Sequence, residues 1–253
     1  MEALAKGTWQ LLERIRAPSS VDILADRLRA RILSGEVPPG SMLPPERTWS
    51  IQLDVSRTTV RGALARLVSE GLVSIRQGKG AEVQDFRRVG ALGLVEKMPR
   101  DMQDATLPGV LELRTAVALE VVSLACERAN EQQIDQLEAL AKQIEQTADP
   151  FEVAELDLEF SRALCRAADN LPMELLLNSV SALYARRPDI PRALFDKRDD
   201  VRSSYSVLVE LLRRRSVAGN RDALREGLNA RDRLTLERLS IVPRGNGVSK
   251  SRP

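Results

Sequence analysis

The chemistry open to this chain is concentrated at the start of one predicted helix. Arg57, Thr58, Thr59 and Arg61 lie in the stretch VSRTTVRGALARLVSEGL, residues 55–72. Arg57 and Arg61 are four apart and share a helix face. Val60, Ala63, Leu64 and Leu67 form an apolar stripe on a different face, which anchors the helix and leaves its polar first turn free. Arginine suits the paired acceptors of a guanine edge, at roughly 1–3 kcal/mol of discrimination per bidentate pair. Threonine hydroxyls and the free N–H groups of a helix start suit phosphate oxygens. The pattern points to a helix that reads double-stranded DNA through its first turn. The competing reading is an arginine pair that merely solvates an exposed face, and the neighbouring elements decide between the two.

Those neighbours are the ones a DNA-reading helix needs. SSVDILADRLRARILSG (19–35) predicts a helix with Ser20 as cap and Val21, Leu24, Leu28 and Ile32 at helical spacing. EVPPG supplies a turn, and LPPERTWSIQL (43–53) predicts a short second helix with proline in its first turn. Asp54 and Val55 make a tight connection to the third helix, which Ser56 caps and Gly71 ends. LVSI (72–75) and AEV (81–83) flank the glycine-bearing turn RQGKG, as in a hairpin. Helix, helix, tight turn, helix, hairpin is the order of a helix-turn-helix with an appended wing.

Composition bounds the rest. Only 3% of residues are aromatic, and helical spacing dominates after residue 107, so a mainly α protein is expected. Helices are predicted at 107–129, 130–148, 149–170, 171–187, 201–217 and 220–239, with DIPRALFDK a broken turn-like stretch. Residues 85–106 read as a linker with some helical character, 1–18 as an amphipathic extension and 240–253 as a disordered tail. The domains expected are therefore 1–84, a winged helix-turn-helix, and 107–239, an all-helical bundle. Residues 1–90 carry 14 Lys+Arg against 10 Asp+Glu, and the remainder 24 against 26, so the basic excess sits with the DNA-reading half.

Several chemistries are disfavoured. With no histidine, histidine-based triads are excluded and a zinc site is not expected. No cofactor is expected. Cys126 and Cys165 are far apart and read as small buried apolar residues. No phosphate-cradling glycine loop or nucleophile elbow appears, so the reading is not an enzyme. There is no run of about 18 apolar residues and no apolar leader core, so no membrane association and a cytoplasmic location are expected.

The stretches ILSG…PPG, LPPER, VSRTTVRGAL and EGLVSIRQGKG resemble the winged helix-turn-helix domain of the GntR superfamily of bacterial transcription regulators, over about residues 20–84. The resemblance implies operator contacts from Arg47, Arg57, Thr58, Thr59 and Arg61. It implies that Gln77, Gly78, Lys79 and Gly80 reach the minor groove or backbone from the wing. Gly62 departs from the family's usual glutamate, at about 1 kcal/mol of helix propensity relative to alanine.

Residues 107–239 are similar, more loosely, to the helical effector domain of the FadR branch, the FCD domain. The matching stretches are VLELRTAVALEVVSLACERA, ELDLEFSRALCRAADN and YSVLVELLRRRSVAGNRDALREGLNARDRL. Many members hold a divalent metal there through one aspartate and three histidines. Asp157 keeps the aspartate position, while Ser161, Tyr205 and Arg231 stand where the histidines would. Serine and tyrosine are poor ligands for zinc or nickel and arginine is none, so the metal-dependent mode is expected to be lost, with Asp157 pairing to Arg231 or another cation. Arg114, Asp157, Ser161, Tyr205 and Arg231 are the candidate polar lining of an effector pocket. An arginine in such a cavity suits a carboxylate or phosphate.

The function expected is a ligand-responsive transcription regulator, repression being the family's more frequent mode. It would bind a palindromic operator as a homodimer, with an organic acid or acyl-CoA-type effector in the helical half. The alternative is a DNA-binding protein whose helical half only dimerises.

Overall fold

A computed structural model describes residues 19–76, 78–196, 199–217 and 219–242. The described residues divide into two compact units, one ending at Met98 and the other beginning at Pro99. In the first, α1 (Ser20–Leu33) is capped by Ser19 rather than Ser20. Ser19 and Asp22 form a reciprocal capping box, which the acidic residue three positions on makes available. The apolar α1 residues that go inside are Ala25, Leu28, Ile32 and Leu33; of the predicted stripe Leu28 and Ile32 are buried, while Val21 and Leu24 are half-buried. α2 (Glu46–Gln52) follows Pro45, and the turn to α3 (Arg57–Ser69) uses Asp54 at φ +50°. Val60, Ala63, Leu64 and Leu67 of α3 pack against α1, all fully or almost fully buried.

Gly62 marks a close approach. A Cβ there would lie 3.2 Å from both methyls of Val21, so the departure from glutamate brings α1 and α3 together at the expense of helix propensity. Gly71, at φ +74°, ends α3 as expected. The wing is β1 (Val73–Arg76) paired antiparallel with β2 (Gly80–Val83), Val73 opposite Val83. Residues 40–43 run along the free edge of β2, through Leu43 N–H to Ala81 O and Val83 N–H to Ser41 O.

The segment 85–106 contains α4 (Phe86–Val89), a 3-10 turn (Leu92–Lys97) and the first residues of α5 (Arg100–Arg128). The long helix thus begins seven residues before the sequence pattern suggests. Pro108 lies in its interior, where proline costs one helical hydrogen bond without ending the helix. The second unit continues with α6 (Glu131–Gln146), α7 (Pro150–Ala167), α8 (Leu171–Arg186), α9 (Asp189–Phe195), α10 (Asp199–Arg213) and α11 (Arg221–Arg238). Asn130, Asp149 and Asn170 cap their helices through side-chain acceptors. The stretch DIPRALF is a short buried helix rather than a turn: Ile190, Leu194 and Phe195 are fully buried. Apolar burial overrides a sequence interrupted by proline. Cys126 and Cys165 are free and buried, and burial pushes the Cys165 thiol up to about 11. The 1–18 extension and positions 243–253 of the tail lie outside the described residues.

Candidate DNA-contact surface and effector cavity

At the start of α3, Ser56 takes the Thr59 N–H at 3.0 Å and shares a hydrogen bond with the Thr59 hydroxyl at 2.9 Å. Thr59 is half-buried and its hydroxyl is committed to the cap. The N–H groups of Arg57 and Thr58 have no intrahelical acceptor, as expected in the first turn of a helix. Both side chains are exposed, and Arg57 makes no hydrogen bond or salt bridge among the described residues. Arg47 on α2 is equally free and exposed.

Arg61 is not free. Its guanidinium makes a two-point pair with Glu46, Nε to Oε1 at 3.2 Å and Nη2 to Oε2 at 2.8 Å. The hydrogen bond from Arg61 holds the Glu46 carboxyl below its ordinary value. An exposed pair of this kind contributes little to stability and exchanges readily for an incoming anion. On the wing, Gly78 and Gly80 take positive φ, at +78° and +93°, and Lys79 projects between them, exposed. Gln77 lies outside the described residues.

Behind this surface lies an ion cluster that helical and strand spacing does not reveal. Arg29 of α1 makes a two-point pair with Glu70, the C-cap of α3, at 2.7 and 2.9 Å, and also pairs with Asp26. Lys97 of the 3-10 turn reaches the same Glu70 carboxylate at 3.1 Å. Arg29 and Glu70 side chains are 8% and 9% exposed. Burial opposes the Glu70 charge, but its hydrogen bonds to Arg29 and Lys97 outweigh burial and hold the carboxyl below its ordinary value. The only sequence signal was a buried-side arginine on α1 facing the end of α3, forty-one positions away.

In the helical unit, two adjoining cavities lie among α5, α7, α8, α10 and α11. The smaller is about 90 Å³ and the larger about 530 Å³. Asp157, Ser161 and Arg231 line both, Arg114 lines the smaller and Tyr205 the larger. The five predicted residues are therefore brought into one region. Their pairing differs from expectation. Asp157 accepts from the Tyr205 hydroxyl at 2.6 Å and makes no ion pair with Arg231. Arg114 is paired with Asp232, whose other oxygen takes the Thr115 hydroxyl at 3.1 Å. Burial, then the nearby Asp157 charge, raise Tyr205 well above its ordinary value, so it remains a donor. Phe160 packs edge-on against its ring at 5.1 Å. Burial opposes the Arg231 charge, but Tyr205 and Asp157 around it prevail and hold its pKa above the ordinary value. Tyr184 and Asp232, which the sequence reading missed, complete the cluster. They lie on α8 and α11, one of them a tyrosine inside a leucine-rich helix.

A divalent metal does not fit these side chains. The first oxygen of Asp157 is committed to a phenol, and a guanidinium occupies the same cavity. Among the described residues, no three His, Cys, Asp or Glu side chains gather as a ligand set.

A winged helix-turn-helix followed by a helical bundle whose largely apolar cavities enclose a polar cluster is an architecture suited to a DNA-binding regulator with a sensing half. Comparisons with known proteins agree. The family model for bacterial regulatory proteins of the gntR family matches residues 21–83, and the FCD domain model matches 109–230. A fatty acid metabolism regulator protein of Edwardsiella ictaluri is 34% identical over 175 residues, 68% of this chain and 72% of that protein. An uncharacterized HTH-type transcriptional regulator of Mycobacterium tuberculosis is 31% identical over 178 residues, 70% of this chain and 74% of that one. Among solved structures, Lar, described as controlling the Listeria monocytogenes agr system, covers 90% of this chain and 100% of its own at 17% identity, with TM-score 0.50, a likeness of fold alone. The chain belongs to the gntR family of bacterial regulatory proteins, in its FadR-like branch with an FCD effector-binding domain. It is a transcription regulator and not an enzyme.

Proposed function

We propose that the chain represses transcription as a cytoplasmic homodimer on a palindromic operator, one α3 per half-site, and that an organic acid or acyl-CoA-type effector in the helical unit changes its DNA affinity. The observation that carries the DNA reading is the start of α3. Arg57 is exposed and unspent, beside two unpaired backbone N–H groups. Arg47, Arg61 and Lys79 supply further cations on α2, α3 and the wing, and Thr58, Thr59, Gln77, Gly78 and Gly80 complete the proposed contact set. Two-fold symmetry in the protein would be matched by an inverted repeat in the DNA.

Arg114, Asp157, Ser161, Tyr205 and Arg231 form the proposed effector lining. The name of the Edwardsiella relative favours an acyl-type acid and lipid-metabolism genes. The effector acts through different affinities for two arrangements of the DNA-binding units. No helix among the described residues is long and apolar enough to cross a membrane, in keeping with a cytoplasmic site. The test is selection of bound duplexes from a random pool by the purified protein. Enrichment of an inverted repeat with a fixed half-site spacing supports the reading. Recovery without a motif overturns it.

A further inference from the structure

Glu46 brings an anion to the surface proposed to meet DNA, where its neighbours Arg47, Arg57 and Arg61 are cations. A carboxylate there repels phosphates and weakens sequence-independent association. It is the first residue of α2, and it reaches across to α3. Arg61 holds it at two points, Nε to Oε1 at 3.2 Å and Nη2 to Oε2 at 2.8 Å. The charge of Arg57 acts on it as well.

The geometry of the pair decides what Arg61 has left. A guanidinium carries five N–H groups, one on Nε and two on each Nη. Glu46 takes the edge formed by Nε and Nη2, and Nη1 makes no hydrogen bond among the described residues. Both N–H groups of Nη1 and the second of Nη2 are therefore free. Two of these three run parallel at the end of the side chain, the arrangement that matches O6 and N7 of guanine. The Arg61 side chain is 72% exposed and that of Glu46 32%, so the cation is the more accessible member of the pair. A phosphate competes with the carboxylate for Arg61, and the exposed pair gives way to it. A guanine edge is uncharged, uses the end donors and leaves the pair intact. Held by Glu46, Arg61 is also ordered before DNA arrives, so it loses less freedom on contact.

We propose that Glu46 is a positioning residue for DNA specificity, which fixes the Arg61 guanidinium end-on to a guanine of the half-site and holds it back from phosphates. The inference rests on the proposal that α3 reads the operator.

The test compares duplexes selected from a random pool by the full-length wild type, Glu46→Gln and Arg61→Lys, followed by anisotropy titrations at several salt concentrations. The wild-type motif contains a guanine that Arg61→Lys no longer selects, because lysine is a single point of charge without the parallel donors. Glu46→Gln loses preference at that same position by about three- to tenfold, with the rest of the half-site and its spacing kept. On random duplex Glu46→Gln binds about two- to fivefold tighter, and its salt slope steepens by about one, because the released arginine takes a phosphate. These opposite changes separate positioning from a structural role, which would weaken binding to both duplexes. The double variant loses no more guanine preference than Arg61→Lys alone, and melting temperatures stay near that of the wild type. A guanine preference kept in Glu46→Gln, weaker binding of that variant to random duplex, even loss across the whole motif, or a melting temperature well below the wild type's overturns the inference. If the wild type enriches no motif, the DNA reading itself falls. A motif whose guanine survives Glu46→Gln removes only the role of Glu46.

Discussion

At the scale of single residues, the DNA-contact surface divides into side chains that are free and side chains that are held. Arg57 is free, so truncating it would remove the proposed base contact without disturbing the fold. Arg57→Ala should weaken binding to the selected operator by roughly ten- to a hundredfold, about 1–3 kcal/mol, and binding to random duplex only slightly. Anisotropy titrations at one salt concentration measure both, and equal losses would remove Arg57 from base reading. Lys79→Ala, on the wing, should instead weaken both duplexes alike and lower the salt slope by about one. The placement of Arg57, Thr58 and Arg61 on the exposed side of α3 was legible because helical spacing separates them from the apolar stripe. The engagement of Arg61 by Glu46 was not, since it depends on how α2 crosses α3. Nor was the Tyr205–Asp157 hydrogen bond, which joins residues forty-eight positions apart.

At the scale of elements, caps and turns set several helix ends in both units, and they are local enough to read. Ser56, Gly71, Asn130 and Asp149 act where the sequence places them. Ser56→Ala should cost about 1 kcal/mol in urea unfolding and loosen the first turn of α3. What sequence could not supply is the cluster joining α1, the end of α3 and the 3-10 turn. Its pH dependence has a definite sign. The Glu70 carboxyl is held below its ordinary value of 4.5, so its contribution is complete above that pH and is lost as pH falls through the lowered native value. Glu70→Gln leaves Arg29 with Asp26 as its one charged partner and should destabilise by roughly 1–3 kcal/mol near neutrality. The gap between wild type and variant should close in urea titrations taken below pH 4.5. A gap that stays constant into that acid range would show that Glu70 is not the titrating partner of Arg29.

At the scale of the whole molecule, the run of helical periods made a helical second half legible, while its sensing role was legible only through the family resemblance, and the FCD domain model matches residues 109–230. The start of α5 and the helix at DIPRALF were missed because Pro108 and Pro191 read as interruptions, while burial against neighbouring helices holds both segments helical. A chain whose aspartate lies beside an arginine should carry no tightly held divalent metal. Elemental analysis after dialysis should give well under one metal per chain, and one per chain would contradict the account of that cavity. The central claim, that this regulator finds its sites through α3, is tested most directly by genome-wide mapping of bound DNA in the native host, with the wild type and Arg57→Ala side by side. The account predicts discrete inverted repeats for the wild type and their loss in the variant. Diffuse wild-type binding, or the same sites kept by the variant, would contradict it.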